Sequence, residues 1–120
     1  MEIYGNGNQT RSFTYIDDLL DGFFKVMESH EIHGPVNLGN PHEEFTINYL
    51  LSCFEKLTGR TIDKTNVSLP KNDPLQRKPC IEMAQDKLHW NPSVGLEEGL
   101  SKMLKKYDLL FENIDLHFEA

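Results

Sequence analysis

Short extended segments alternate with amphipathic helices along this chain, and the extended segments are too few and too short to complete a sheet. The candidates lie at residues 1–4, 11–15, 36–38 and 65–69. A parallel sheet normally has helices packed over both of its faces. The alternation therefore predicts an α/β fold, and the shortage of strands predicts that the chain is part of a larger sheet protein.

Three segments carry apolar residues at helical spacing. The first begins after Asp17 or Asp18, either of which could cap it, and the second begins after Thr46 and stops at Gly59. The third begins near Leu96. Their expected core faces are Leu19, Leu20, Phe23, Phe24 and Met27; Ile47, Leu50, Leu51, Phe54 and Leu57; and Leu100, Met103, Leu104, Tyr107 and Phe111, with Leu116 and Phe118 able to dock beyond. A shorter helix, opened by Pro79 and broken by Pro92, would contain Met83, Ala84 and Leu88.

Charge and composition exclude several classes of partner. The chain has 120 residues and a net charge of −7, so it repels nucleic-acid backbones and anionic membrane surfaces. It has no apolar run long enough to span a bilayer and no signal-peptide pattern at its start. Cys53 and Cys80 lack metal-ligand spacing, and the histidines are too scattered to form a metal site. These features favour a cytoplasmic protein that holds no metal.

The first segment with possible chemistry is the glycine-rich turn that ends in Arg11. Glycine permits close backbone approach, and arginine presents a planar, permanently charged fork that suits phosphate. The spacing of Gly5 and Gly7 is neither that of a P-loop nor that of a dinucleotide-binding loop. Taken alone, the segment fits a turn with a surface arginine better than an anion site.

The second such segment runs from Asp73 to Pro79. Arg77 and Lys78 are adjacent cations in a proline-braced loop just before a predicted helix, where exposed backbone N–H groups favour an anion. A solvated basic loop is the alternative. No Tyr-x-x-x-Lys pair, serine elbow or cysteine–histidine nucleophile accompanies these cations, so the sequence offers no catalytic residues.

Several segments, in this order, resemble the extended short-chain dehydrogenase/reductase family, whose members include NAD-dependent epimerases and dehydratases. The resemblance covers nearly the whole chain. It is carried by the residues YGNGNQTRSF (4–13), YIDDL (15–19), GPVNLGNP (34–41), DPLQRKP (73–79), LHWNP (88–92) and LEEGL (96–100). QTRSF, GPVNLGNP and DPLQRKP are most similar to UDP-glucuronate decarboxylases, and UDP-glucose 4-epimerases and dTDP-glucose 4,6-dehydratases are the alternatives.

The resemblance implies that residues 1–120 form a partial carboxy-terminal, nucleotide-sugar-binding region without the amino-terminal NAD domain. The helix from Leu19 to Met27 and the strand at 36–38 would be late elements of the Rossmann sheet. In the family, NAD oxidises sugar C4, the resulting ketone eases loss of the C5 carboxylate, and the hydride is then returned, with a tyrosine from a Tyr-x-x-x-Lys pair as base. Because that pair and the glycine-rich loop are absent here, we expect no NAD binding and no catalysis by this chain alone.

The resemblance also assigns binding residues. Arg11 and Arg77 match arginines that contact the diphosphate of the nucleotide sugar, Tyr4 matches a position lining the nucleotide pocket, and Gln9 is a neighbouring candidate. The family usually has aspartate where this chain has Cys80, and a thiol is a poor substitute as an acceptor. The expected partners are a weakly bound UDP-sugar and either a full-length homologue or a complementary amino-terminal chain.

Overall fold

The computed structural model describes the backbone of residues 1–115 and the side chains of residues 1–107. Short strands are interspersed with helices in it, as expected of an α/β chain. The strands are β1 (Glu2–Tyr4), β2 (Thr10–Ser12), β3 (Glu44–Thr46), β4 (Thr65–Val67) and β5 (Gln76–Arg77). The helices are α1 (Ile16–Glu28), α2 (Ile47–Thr58), α3 (Glu82–Leu88) and α4 (Leu96–Asp115). The predicted roles of Phe111, Leu116 and Phe118 lie outside the described side chains.

The strands form two small sheets. β1 pairs with β4 in parallel, and β2 lies between β3, which is antiparallel to it, and β5, which is parallel to it. Each strand has only two or three residues, so neither sheet could be stable without the helices that flank it. The described part of the chain therefore has the strand shortage that its sequence predicts.

Helix α2 begins and ends where the sequence predicts. The Thr46 hydroxyl accepts a hydrogen bond from the Tyr49 N–H at 3.0 Å, which satisfies one of the free donors at the helix start. At the other end Gly59 has a φ of 65°, a left-handed conformation that costs glycine nothing. Helix α3, in contrast, begins at Glu82 rather than at Pro79.

The predicted cap of helix α1 is wrong. Its N-cap residue is Tyr15, which makes no side-chain capping bond, and both Asp17 and Asp18 lie in the first turn. The Asp18 carboxylate instead accepts hydrogen bonds from the N–H groups of Ser93 and Val94 at 2.9 and 2.8 Å. Because these donors lie far along the chain, the buried carboxylate stabilises the loop before α4 instead of its own helix.

Two hydrophobic clusters form the core. In the first, which lies between α1 and α3, Ile81, Ala84, Leu88 and Trp90 are buried. The Trp90 indole N–H donates to the Asp18 carbonyl oxygen at 3.1 Å, so this wholly buried ring has a partner for its polar atom. The second cluster lies between α2 and α4 and is built on Cys53, Leu96 and Leu100, with Phe13, Phe45, Leu50 and Phe54 packed against it.

The apolar stripe of α1 faces outward, contrary to the prediction that it faces the core of this chain. Phe23 and Phe24 are 55% and 57% exposed, and Leu19, Leu20 and Met27 are exposed as well. The helix buries Asp18 and Gly22 instead. At Gly22 the ring of Trp90 lies so close that a side chain would not fit. The radius of gyration is 17.8 Å, against about 14 Å for a compact domain of this length. One layer of α1's packing is thus missing from the described residues.

Other sequence predictions also need correction. Residues 36–38 form no strand, because no strand in residues 1–115 lies beside them to share hydrogen bonds; Val36 and Leu38 pack against the first cluster instead. Strands β3 and β5 were not predicted.

Three predicted core residues are exposed. These are Leu57, Met103 and Tyr107, which lie along grooves beside α4 that no other described element fills.

Candidate functional site

Strands β2 and β5 place two arginines side by side. Arg11 is the register partner of Arg77 on the adjacent parallel strand, so the two side chains leave the sheet from neighbouring positions. Like charges in directly opposite positions destabilise a sheet. The pairing therefore concentrates positive charge at one edge of the three-stranded sheet.

Both arginines open onto one cavity. Its volume is about 390 Å³, and it is lined by Arg11, Ser12, Asn37, Arg77, Lys78, Pro79 and Cys80. Three of these side chains are cations and none is a carboxylate. Two larger cavities, of about 500 and 840 Å³, lie along α4 and have mainly apolar linings. The smaller, cationic cavity is thus the one whose chemistry suits a phosphate.

The two arginines differ in how they are held. The Arg11 guanidinium donates to the Asp73 carboxylate at 2.5 Å and to the Thr10 carbonyl oxygen at 2.7 Å. Among the described residues, the Arg77 guanidinium has no hydrogen-bond or ion-pair partner, and the residue is exposed. Arg11 is therefore held in place by the protein itself, whereas the side-chain donors of Arg77 are unused within the described part of the chain.

A carboxylate beside the cavity ties the three strands together. Glu44 accepts hydrogen bonds from the Thr10 hydroxyl and the Gln76 amide, each at 2.7 Å, and lies 3.9 Å from the Lys78 ammonium. These two hydrogen bonds, with a smaller contribution from Lys78, lower the pKa of Glu44 below its ordinary value of 4.5. The ionised carboxylate holds Lys78 near the edge of the cavity.

The other two predicted site residues lie elsewhere. Tyr4 is an exposed residue of β1, and Gln9 is buried and donates through its amide to the Tyr4 carbonyl oxygen at 2.7 Å. Neither side chain lines the cavity of Arg11 and Arg77. Their assignment to substrate binding stays a prediction, and in this structure Gln9 links β1 to the turn before β2.

Asn37 and Asp73 were missed as candidate site residues. Asn37 lines the cavity and donates to the Cys80 carbonyl oxygen at 3.2 Å, and Asp73 pairs with Arg11. Both belong to segments that resemble the family, GPVNLGNP and DPLQRKP, but their positions give no local signal of a role. Cys80 is exposed in the cavity, so it occupies part of the predicted binding surface.

The glycine-rich turn at Gly5 and Gly7 does not have the geometry of a dinucleotide-binding loop. A dinucleotide needs a glycine-rich turn that opens a helix. Gly5 and Gly7 adopt positive φ, but the turn they form leads into β2, and Asn48 fills the space beside Gly7. A catalytic phenol needs a lowered pKa, whereas hydrogen bonding and charge interaction with Cys53, then burial and Glu97, raise the pKa of Tyr49.

No helix among the described residues is long and apolar enough to cross a membrane. In the same part of the chain, histidine, cysteine and carboxylate side chains form no cluster that could hold a metal ion. The predicted cytoplasmic location stays a prediction.

Comparison with known proteins finds relatives of one kind in sequence. No protein-family model matches it. Individual proteins do: UDP-glucuronic acid decarboxylase 1 from Arabidopsis thaliana is 41% identical over 110 residues, which are 89% of this chain and 24% of that protein. UDP-glucuronic acid decarboxylase 1 from Xenopus tropicalis is 39% identical over 104 residues, 87% of this chain and 24% of that protein. The chain thus spans about a quarter of the length of these relatives.

Solved structures agree with the sequence matches. UDP-glucuronic acid 4-epimerase from Bacillus cereus, in complex with UDP-glucuronic acid and NAD, superposes with a TM-score of 0.78 at 32% identity over 88% of this chain and 35% of that chain. UDP-glucose 4-epimerase from Thermotoga maritima, with UDP-glucose, gives a TM-score of 0.82 at 26% identity over 92% and 35%.

The fold is that of the extended short-chain dehydrogenase/reductase family, the NAD-dependent epimerases and dehydratases, and the chain is similar in sequence to members of that family. The part of the fold that it matches is in keeping with the carboxy-terminal portion. Within that family, its sequence relatives are UDP-glucuronic acid decarboxylases.

Proposed function

We propose that this chain is the UDP-sugar-binding portion of a UDP-glucuronate decarboxylase-like enzyme, which converts UDP-glucuronate to UDP-xylose when complete. The observation that carries the proposal is the placement of Arg11 and Arg77 as register partners at one cationic cavity. Arginine binds paired phosphate oxygens through parallel N–H donors, and two such forks suit a diphosphate.

The chain's own role in the reaction is to bind and orient. Arg11 and Arg77 would hold the diphosphate, and Lys78 would add positive charge at the cavity edge. NAD supplies hydride acceptance and return in the family reaction. Because this chain has neither an NAD loop nor a Tyr-x-x-x-Lys pair, we expect no turnover by the 120-residue chain on its own.

The exposed apolar face of α1 supports the proposal that this portion packs against a partner. Five large apolar side chains on one helix, Leu19, Leu20, Phe23, Phe24 and Met27, lie open to solvent. Soluble chains rarely expose a contiguous apolar patch of this kind unless another surface covers it. The covering surface would be a complementary chain that carries the NAD domain, or the equivalent part of a full-length homologue.

Calorimetric titration with UDP tests the binding proposal. We expect the wild-type chain to bind UDP and the variant Arg77→Ala to bind about 10- to 160-fold more weakly, because a hydrogen bond to a charged group is worth about 1.5–3 kcal/mol. Arg60→Ala is the matched control, since Arg60 is an exposed arginine that lines a different groove. Equal heats for wild type and Arg77→Ala would remove Arg77 from the site.

A parallel titration with dTDP addresses the alternatives within the family. A decarboxylase or UDP-sugar epimerase portion should prefer UDP, whereas a dTDP-glucose 4,6-dehydratase portion should prefer dTDP. Separating a decarboxylase from an epimerase requires the complete enzyme, with UDP-glucuronate as substrate and UDP-xylose or UDP-galacturonate as the product to be measured.

A non-catalytic interaction protein is the second candidate, and the α1 face favours it too. In that case the chain would pair with a full-length homologue and bind no nucleotide. Sedimentation of the chain alone, and mixed with a full-length UDP-glucuronic acid decarboxylase, would detect the pairing. Complex formation by a chain that shows no UDP heat would favour this candidate over the first.

A further inference from the structure

We propose that Asp73 is a positioning residue for Arg11, and this proposal rests on the proposed function. Asp73 accepts a hydrogen bond from Nη2 of Arg11, and the Thr10 carbonyl oxygen accepts one from Nη1. Arg11 lines the cationic cavity and Asp73 does not. The carboxylate thus holds the guanidinium from outside the cavity, while the donors that it leaves unused remain available to a diphosphate.

The loop that carries Asp73 is itself fixed to the same strands. The Asp73 N–H donates to the Pro70 carbonyl oxygen at 3.1 Å, which closes a turn, and the Thr10 N–H donates to the Leu75 carbonyl oxygen at 2.9 Å. The carboxylate therefore approaches Arg11 from a segment anchored on β2 and continuous with β5. Side-chain exposures of 24% for Arg11 and 30% for Asp73 distinguish this ion pair from one between fully solvated ends.

The energetic argument concerns order rather than charge. A free arginine side chain loses considerable rotamer freedom when a ligand immobilises it. Asp73 imposes that loss during folding, so that a diphosphate meets a preorganised fork at Arg11. Charge alone would act in the opposite direction, because a carboxylate near the site lowers its positive potential and competes for the guanidinium. The sign of the effect of removing Asp73 therefore separates positioning from competition.

UDP titrations of the 120-residue chain and its variants test the proposal. We expect Asp73→Ala to weaken UDP binding by about 2- to 12-fold, the cost of ordering one rotamer-rich side chain. Asp73→Asn keeps an acceptor oxygen in the same place and should restore most of the lost affinity. Asp86→Ala is the matched control, because Asp86 is an exposed aspartate on α3 and does not line the cavity.

A double-mutant comparison separates positioning from a general structural effect. In an Arg11→Ala background, Asp73→Ala should produce no further loss of UDP affinity, because there is no guanidinium left to position. An equal loss in both backgrounds would overturn the proposal, as would tighter UDP binding by Asp73→Ala. Unchanged fluorescence of the buried Trp90 in each variant would show that the fold is intact.

The two proposals fail in distinguishable ways. If wild type binds UDP and Arg77→Ala weakens it while Asp73→Ala does not, only the role of Asp73 is lost. If wild type itself binds no UDP, the proposed function fails and the role of Asp73 falls with it.

Discussion

Helices α1 and α2 have nearly the same length, 13 and 12 residues, and both carry apolar stripes, yet they bury opposite kinds of surface. Helix α2 buries Leu51 and Cys53, which are 3% and 4% exposed. Helix α1 buries Asp18 and Gly22 and leaves its aromatic side chains in solvent. The same spacing rule thus describes a helix seated on its own core and a helix whose larger face has no cover in the described chain.

The difference teaches what an apolar stripe can and cannot indicate. Helical spacing shows that a helix has a face to bury, but it does not say which layer buries it. For α2 that layer is α4, within the same chain. For α1 the described layer, α3 with Trp90, meets only the small and polar side of the helix. The described residues therefore supply no layer for the apolar side of α1.

The largest expected effect is the contrast between a buried leucine of α2 and an exposed leucine of α1. Leu51→Ala on α2 should lower the free energy of unfolding by about 2–5 kcal/mol, because it leaves a cavity in a closed core. Leu20→Ala on α1, at 45% exposure, should change it by no more than about 0.5 kcal/mol. Urea unfolding followed by Trp90 fluorescence measures both. A loss at Leu20 as large as at Leu51 would mean that the α1 face is already packed in solution.

The next effect tests how α1 is held to the rest of the chain. Asp18→Ala should lower the free energy of unfolding by about 1–3 kcal/mol, because it leaves the buried Val94 N–H without an acceptor. Asp17→Ala is the control, since Asp17 lies in the same turn but is exposed. The same urea series compares them, and equal stability of both variants would show that the loop before α4 is held by other contacts.

A smaller effect concerns the capped start of α2. Thr46→Ala removes the acceptor for the Tyr49 N–H and should lower the free energy of unfolding by about 1 kcal/mol. Thr46→Ser keeps the hydroxyl and should retain most of that stability. Thermal unfolding by circular dichroism would resolve the difference, and similar losses in both variants would point to the β3 position of Thr46 instead of its cap.

The smallest effect is a pH dependence confined to the sheet of β2, β3 and β5. Because the pKa of Glu44 is lowered in the folded chain, its stabilising contribution is complete above the ordinary value of 4.5 and is lost as pH falls through the folded value. Glu44→Gln should therefore lose less stability than wild type when the pH falls from 5 to 3 (about the range of carboxylate titration). Glu28→Gln, at the exposed end of α1, should follow the wild-type curve; a Glu44→Gln curve that does the same would contradict the assignment.

The parts of the fold that the sequence predicts well are those with local causes. Thr46 and Gly59 determine the ends of α2 through their own hydrogen bonds and backbone conformation, and both predictions are confirmed. Strands β3 and β5 were missed because two or three residues carry no periodicity, and their extended form depends on pairing with β2. The predicted strand at 36–38 fails for the converse reason, because no described partner pairs with it.

The candidate site was predictable only in part. Neither the turn before Arg11 nor the loop around Arg77 distinguished an anion site from a solvated surface by itself. The resemblance to the family assigned both segments to one binding site, and the β2–β5 register gives the physical reason why Arg11 and Arg77 lie side by side. The outward orientation of the apolar stripe of α1 and the pairing of Asp73 with Arg11 depend on residues distant in sequence, so no local pattern predicts them.

The register of Arg11 against Arg77 also has a consequence for folding. The two strands are distant in sequence, and their parallel pairing closes a long loop, whose entropic cost is opposed by only a short ladder. A diphosphate bound by both arginines would act as a reversible cross-link across that loop and cancel the repulsion between them. At a UDP concentration one hundred times the dissociation constant, such a ligand adds about 2.7 kcal/mol to the stability of the folded chain. The nucleotide would then stabilise the fold of this portion in addition to being its ligand.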